Sequence, residues 1–109
     1  MSLELDVHQS GTMIILRVVG AVSEVDVYRF SQAIRDVVKR GQGAVAIDVS
    51  QIDYMESHAI GILVSHFSTL QRQGRELVLI NTNNDPTGYM RILLETTRLN
   101  EMIRVISPK

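Results

Sequence analysis

The chain has 109 residues, of which 45% are hydrophobic and 21% are charged, and its formal net charge is −1. This size and composition are typical of one soluble domain, so we expect residues 1–109 to form a single domain with one core. The sequence contains no cysteine, which excludes thiol catalysis, iron–sulfur clusters and thiolate zinc sites and is compatible with a reducing cytoplasm.

Two classes of partner are disfavoured by the charge and hydropathy patterns. Basic and acidic side chains are interspersed, so no basic patch is available for nucleic acid or an anionic bilayer. The longest apolar run, Ala59 to Val64, is far shorter than the ~18 residues of a membrane helix, and no signal-peptide pattern is present. We therefore expect a cytoplasmic protein without a nucleic-acid or membrane partner.

The first segments in chain order predict two strands. Residues 3–7 alternate apolar and charged side chains, which is typical of a strand with one face in water. Gln9-Ser10-Gly11 forms a short turn, and residues 13–19 are a nearly continuous β-favouring run that ends at Gly20. Such a short connection predicts an antiparallel hairpin.

A helix and a buried strand are predicted next. Ser23-Glu24-Val25-Asp26 has the spacing of a capping box, with Asp in the acidic position. Apolar residues then recur every three or four positions as far as Gly41, which predicts an amphipathic helix. Residues 44–49 are apolar except Asp48, and this run predicts a central strand.

The remaining pattern predicts two more helix–strand units. Residues 57–72 carry an apolar stripe at helical spacing, and residues 77–80 form a short apolar run. Asp85-Pro86 has the form of an N-cap followed by proline at the first helical position, which predicts the start of a third helix. We expect residues 102–106 to form the last strand, with Met90 and Met102 in the core.

The element order ββαβαβαβ predicts an α/β fold with a mixed, mostly parallel five-stranded sheet. Right-handed crossovers between sequential parallel strands would place the helices mainly on one face. The other face would carry Arg17, Asp48 and the alanines at 44 and 46, exposed to solvent or to a partner. The pattern leaves open whether this face forms a homodimer.

Residues 50–59 are the first place to look for function, because sites in open α/β sheets lie at the carboxyl ends of the strands. Ser57 stands where this segment enters the second predicted helix. Its hydroxyl either caps a free backbone N–H, which is worth about 1 kcal/mol, or is exposed beside several such groups. The residue type alone favours the cap.

The element order and this segment together resemble the STAS domain, the module of bacterial anti-sigma factor antagonists (anti-anti-sigma factors). The resemblance runs through residues 14–20, 44–50, 54–61 and 74–81. Family members usually read Asp-Ser, then Ser or Thr, then Gly, at the start of the second helix, and a cognate kinase phosphorylates the first serine. Ser57 occupies that position. Three neighbours depart from the pattern: Glu56, His58 and Ala59.

The resemblance implies a phosphorylatable protein-binding switch rather than an enzyme, with Ser57 as phosphoacceptor. The unmodified form would bind an anti-sigma factor that has serine kinase activity, phosphorylation would end the contact, and a PP2C-type phosphatase would restore it. No cofactor is expected, because the nucleotide would belong to the kinase. The expected partner-binding residues flank the serine: Asp53, Tyr54, Met55, Glu56, His58 and Ala59.

Two alternatives remain open, an enzyme and a scaffold protein. The first, an enzyme, would need a group of catalytic or metal-binding side chains. His58 and His66 would lie about 12 Å apart along one helix, too far to share a metal ion. Asp48, Asp53 and Glu56 could hold Mg²⁺ as in a phosphoryl-transfer receiver, but receivers also need acids at the end of the first strand. That end reads Val7-His8-Gln9, so we expect no metal site. The second alternative is a STAS scaffold or partner-binding subunit of a bacterial stress-signalling assembly, which is not phosphorylated and forms large particles.

Overall fold

The computed structural model describes residues 3–107, which form a five-stranded sheet in the order β1-β2-β3-β4-β5. The strands are β1 (Glu4–Ser10), β2 (Met13–Val22), β3 (Val45–Met55), β4 (Leu77–Ile80) and β5 (Val105–Ile106). The helices are α1 (Val27–Lys39), α2 (Ser57–Arg72), α3 (Tyr89–Thr96) and α4 (Leu99–Met102). β1 is antiparallel to β2 and the other neighbours are parallel, so the predicted fold class and hairpin are confirmed.

Helices cover one face of this sheet, and the main hydrophobic core lies between the two layers. Each helix supplies apolar side chains to this core, for example Phe30 from α1, Leu63 from α2 and Leu94 from α3. Leu16 of β2 and Ile47 of β3 belong to the same core and are fully buried. Sequential strands joined by right-handed crossovers place every helix on the same side. The predicted one-sided arrangement is confirmed.

The other face of the sheet carries a smaller apolar cluster. Its members come from four adjacent strands: Met13, Ile15, Ala46, Val78, Ile80 and Ile106. Beside the cluster, Arg17 lies next to Asp48 in the β2–β3 register, and its Nε is 3.8 Å from Oδ2 of the cross-strand residue Asp6. This face is more apolar than the sequence pattern indicated, because the short strands β4 and β5 extend it.

β3 is longer than predicted and continues to Met55, through much of the segment expected to be a loop. The β2–β3 register shifts twice, so that β3 carries an extra residue at two places, one before and one after Ile52. Each bulge lengthens the interval between buried residues from two positions to three, as at Val49, Ile52 and Met55. A strict alternation of apolar and polar residues is therefore absent from the second half of β3, and the sequence pattern does not predict that half as a strand. Gly20, beside the second shift, has φ of 100°, a conformation that favours glycine.

Two helices begin differently from the prediction. The Ser23 hydroxyl donates to the Asp26 carboxylate at 3.2 Å rather than accepting from a backbone N–H, and a 3-10 turn over Glu24–Asp26 precedes α1. Asp85 lies in a loop, where its carboxylate accepts from Thr87 N at 2.9 Å and from Thr87 Oγ1 at 2.7 Å. These bonds lower the pKa of the Asp85 carboxyl. Such local side-chain turns compete with the expected N-caps.

The predicted last strand is also only partly correct. Its first residue, Met102, is the last residue of the short helix α4, and β5 is limited to Val105–Ile106. Met102 is 51% exposed, whereas Ile103 is fully buried and Met90 is in the core as expected. A short apolar run has no clear period, so helix and strand cannot be separated by pattern alone.

Tyr89 joins the start of α3 to the end of β3. Its hydroxyl accepts a hydrogen bond from Met55 N at 3.0 Å and lies 3.3 Å from Met55 O, to which it donates. Both backbone groups belong to the last residue of β3. The tyrosine therefore fixes the point at which the chain leaves the sheet and enters α2.

We expect Tyr89→Phe to lower the free energy of unfolding by about 1–2 kcal/mol, because the Met55 N–H loses its partner. Tyr28→Phe is the control, since Tyr28 is 73% exposed and should change by less than about 0.5 kcal/mol. Urea unfolding of both variants measures the difference. Equal stability of the two variants would mean that the Tyr89 hydroxyl does not hold this junction.

Candidate functional site at the start of the second helix

Ser57 is the first residue of α2, and a single residue separates it from the end of β3. The intervening residue, Glu56, is the N-cap, with an extended backbone at φ −68° and ψ 148°. Its N–H donates to Val22 O at 2.9 Å, which attaches the start of the helix to the end of β2. The site is thus held by the two longest strands of the sheet.

Glu56, and not Ser57, caps α2. Oε2 of Glu56 accepts from His58 N at 2.8 Å. The cap predicted for the serine hydroxyl is therefore wrong. Ser57 Oγ instead donates to Glu56 Oε1 at 3.3 Å, and the serine is exposed. The hydroxyl thus lies at the surface, where it is hydrogen-bonded to the carboxylate that caps the N-terminus of α2.

The other predicted partner-binding residues divide into two groups. Asp53, Tyr54 and His58 are exposed, and Glu56 is half-buried. Met55 is 3% exposed and Ala59 is fully buried in the main core. The expectation that the side chains of Met55 and Ala59 face a partner is therefore corrected, because the bulged end of β3 and the helical period turn both of them inward.

An apolar surface lies beside Ser57, and α3 adds residues to it that the sequence pattern did not connect with this site. We call it the α3 patch and define it as Tyr54, Ile60, Tyr89, Ile92 and Leu93. The rings of Tyr54 and Tyr89 have centroids 6.2 Å apart, and Ile92 is 48% exposed. A shallow cavity of about 440 Å³ is lined by Ile60, Tyr89 and Ile92. Tyr54 and Ile60 follow from the sequence as apolar neighbours of Ser57, whereas the signal for α3 is Ile92, an apolar residue off the core stripe of that helix.

The charge around Ser57 is acidic. Glu56 is in hydrogen-bond contact with the hydroxyl, and Asp53 is exposed at the end of β3. Within residues 3–107, no lysine or arginine forms an ion pair or hydrogen bond with Ser57, Glu56 or Asp53. A negative group added here would meet like charge rather than a compensating cation.

Among residues 3–107, no group of three or more His, Asp or Glu side chains is arranged to hold a metal ion. None of the helices between those residues is long and apolar enough to cross a membrane.

The profile of the STAS domain family matches residues 4–108. The chain belongs to the STAS domain family. This assignment agrees with the sheet order, the one-sided helical layer and the position of Ser57 at the start of α2. No curated protein sequence matches the chain.

Three solved structures illustrate the similarity. An anti-sigma factor antagonist from Mycobacterium paratuberculosis is 21% identical, with a TM-score of 0.81 over 99% of this chain and 87% of that one. The unphosphorylated form of the anti-sigma factor antagonist SpoIIAA is 12% identical, with a TM-score of 0.67 over 99% and 90%. The Bacillus cell fate determinant SpoIIAA in its phosphorylated form is 14% identical, with a TM-score of 0.64 over 97% and 92%. At these identities the likeness establishes the fold.

We expect Glu56→Ala to lower the free energy of unfolding by about 0.5–2 kcal/mol, because the first turn of α2 loses its cap. Ser57→Ala is the matched control and should change stability by less than about 0.5 kcal/mol, since its hydroxyl caps no backbone group. Thermal and urea unfolding of both variants give the comparison. A larger loss for Ser57→Ala than for Glu56→Ala would assign the cap to the serine after all.

Proposed function

We propose that this STAS domain is an anti-sigma factor antagonist that binds an anti-sigma factor with serine kinase activity and releases it when Ser57 is phosphorylated. The observation that carries the proposal is the exposed Ser57 hydroxyl, which begins α2 without capping it. A side chain that the fold does not need for stability is free to be modified. In this proposal the chain is a cytoplasmic protein substrate and not an enzyme.

The modification changes charge at one atom. Ser57 Oγ would attack the γ-phosphorus of ATP bound to the kinase, lose its proton and leave ADP as the second product. The phosphoserine carries about −1.5 to −2 charges at neutral pH. Because Glu56 Oε1 lies 3.3 Å from Oγ, the phosphate would repel the carboxylate with which the hydroxyl was bonded. The added charge would therefore change the electrostatic potential of the surface around Ser57.

The body of the domain is expected to tolerate this charge. Ser57 is at the surface, and the positive end of the helix dipole together with free N–H groups favours an anion at a helix N-terminus. Both SpoIIAA forms keep a fold similar to this chain, with TM-scores of 0.67 for the unphosphorylated and 0.64 for the phosphorylated form. That comparison supports a switch that acts at the surface rather than by unfolding.

The α3 patch supplies the apolar part of the proposed partner surface. It lies beside the start of α2, since Tyr89 bonds to Met55 and Tyr54 packs near Tyr89. Exposed apolar side chains next to a modifiable polar group are typical of a protein interface. A partner that covers both must desolvate the phosphate. A penalty of about 3 kcal/mol would weaken binding more than hundredfold.

The remaining partners follow from the same proposal. A PP2C-type phosphatase would hydrolyse the phosphoserine and return the chain to its binding form. Asp53, Tyr54 and His58, which are exposed around Ser57, would contact the anti-sigma factor directly. His58 occupies a position that is usually a small hydroxyl residue in the family, so we expect it to set which kinase is accepted.

The first test is phosphorylation. Incubation with ATP and the serine kinase-type anti-sigma factor encoded nearest to this gene should add one phosphate, measured by intact-mass spectrometry. Ser57→Ala should abolish it. Ser65→Ala is the control, because Ser65 is an exposed serine on the same helix, and its labelling should equal that of the parent. Binding of the kinase to the phosphorylated chain should fall at least hundredfold.

Two outcomes would reject the switch. Labelling of Ser57→Ala at the parent rate would place the phosphate elsewhere. No labelling of the parent by a kinase that is active on another substrate would favour the scaffold alternative, which light scattering would support if the chain forms large particles.

The second test addresses the α3 patch. Ile92→Asp should weaken binding of the unphosphorylated chain to the anti-sigma factor at least tenfold, because an apolar contact of about 1.4 kcal/mol or more is lost. Met102→Asp is the control, since Met102 has a similar exposure of 51% but lies in α4. Calorimetric titration measures both affinities. Equal weakening by the two variants would remove the α3 patch from the interface.

A further inference from the structure

A groove with a volume of about 410 Å³ lies between α1 and α2. Residues at helical spacing on each helix form its walls. Six polar side chains line it: Ser31, Arg35, Lys39, Ser65, His66 and Thr69. These groups are two cations, one imidazole and three hydroxyls, and no carboxylate is among them.

The two cations of the groove lack a counter-charge in the described chain. Arg35 and Lys39 are one helical turn apart on α1, so they lie on the same face and repel each other. Over residues 3–107, neither side chain is within ion-pair distance of a carboxylate. Arg35 Nη1 donates to the neutral Gln32 Oε1 at 3.2 Å. Positive potential therefore remains concentrated over the groove.

His66 faces this charge from α2. Its ring Nε2 lies 3.5 Å from Ser31 Oγ across the groove. Burial, and then the positive charge of Arg35, lower the pKa of the His66 imidazole. Both effects favour the neutral form of the ring. The charged groups that face it from the groove walls are Arg35 and Lys39, and an anion placed between them would reverse the electrostatic part of this effect.

We propose that the groove binds a small molecule that carries a phosphate group or another doubly charged oxyanion. The Arg35 guanidinium can hold two oxygens of such a group, and Lys39 adds a point charge. The hydroxyls of Ser31, Ser65 and Thr69 are donors at the same opening. All of these groups line the same groove.

The groove is larger than a bare anion requires. Its volume of about 410 Å³ falls in the range of about 300–1,000 Å³ that is usual for small-molecule sites. Val38 and Ile62 add apolar contacts to the wall, which suits an organic substituent on the phosphate. Ser65 lies about 12 Å along α2 from Ser57, so this proposal does not rest on the phosphorylation switch.

The test is a titration of the whole chain followed by NMR. Inorganic phosphate, at constant ionic strength, should shift the amides of the groove residues saturably with a millimolar or lower Kd, and phenyl phosphate should bind at least threefold more tightly. Sulfate remains a dianion over the pH range of a histidine titration. Any pH-dependent change in its presence therefore comes from groups of the protein and not from the ligand. Saturating sulfate should raise the pKa of His66.

Charge-matched variants separate a site from general screening. Arg35→Gln with Lys39→Gln should weaken phosphate binding at least tenfold. Arg91→Gln with Arg104→Gln removes the same charge from exposed residues elsewhere and should leave binding unchanged, with circular dichroism confirming that both variants fold. Unsaturable shifts, equal loss in the two double variants or an unchanged His66 pKa would overturn the site. Equal affinity for phosphate and phenyl phosphate would overturn the inference that the groove accommodates an organic substituent on the phosphate.

Discussion

The parallel pairing of β2 with β3 is the interaction on which the rest of this structure depends. These strands are the two longest, and their pairing persists through two bulges to Val22 and Met55. Because the pairing reaches that far, the N–H of Glu56 meets Val22 O, and α2 begins at a determined point above the sheet. The Tyr89 hydroxyl, bonded to both backbone groups of Met55, holds the same point from the side of α3.

At the candidate site, the adjacent residues Glu56 and Ser57 therefore have different roles. Glu56 caps the N-terminus of α2, so no backbone N–H of the helix depends on a hydrogen bond to the Ser57 hydroxyl. The family usually has aspartate at the first position, and the longer glutamate still reaches His58 N at 2.8 Å. Ala59, where glycine is usual, fits without exposure because its side chain lies in the core. The departures from the family pattern are thus compatible with the local geometry.

α2 carries two surfaces of opposite charge. Its first turn is acidic, through Glu56 and the nearby Asp53, whereas the groove beside Ser65 and His66 is basic because α1 contributes Arg35 and Lys39. In the two proposals, a phosphate on Ser57 would be repelled at the first surface and a small anion would be attracted at the second. The start and the middle of one helix would then have different roles.

The sequence alone determined the fold class, the order of the strands, the hairpin and α2, because each depends on hydrophobic periodicity within one segment. It also identified Ser57 through the resemblance to STAS domains. Tertiary structure decided the rest. The β3 bulges exist only in register with β2, and they bury Met55 while leaving Tyr54 exposed. The α3 patch and the α1–α2 groove join residues distant in sequence, and no local pattern reports which of them meet.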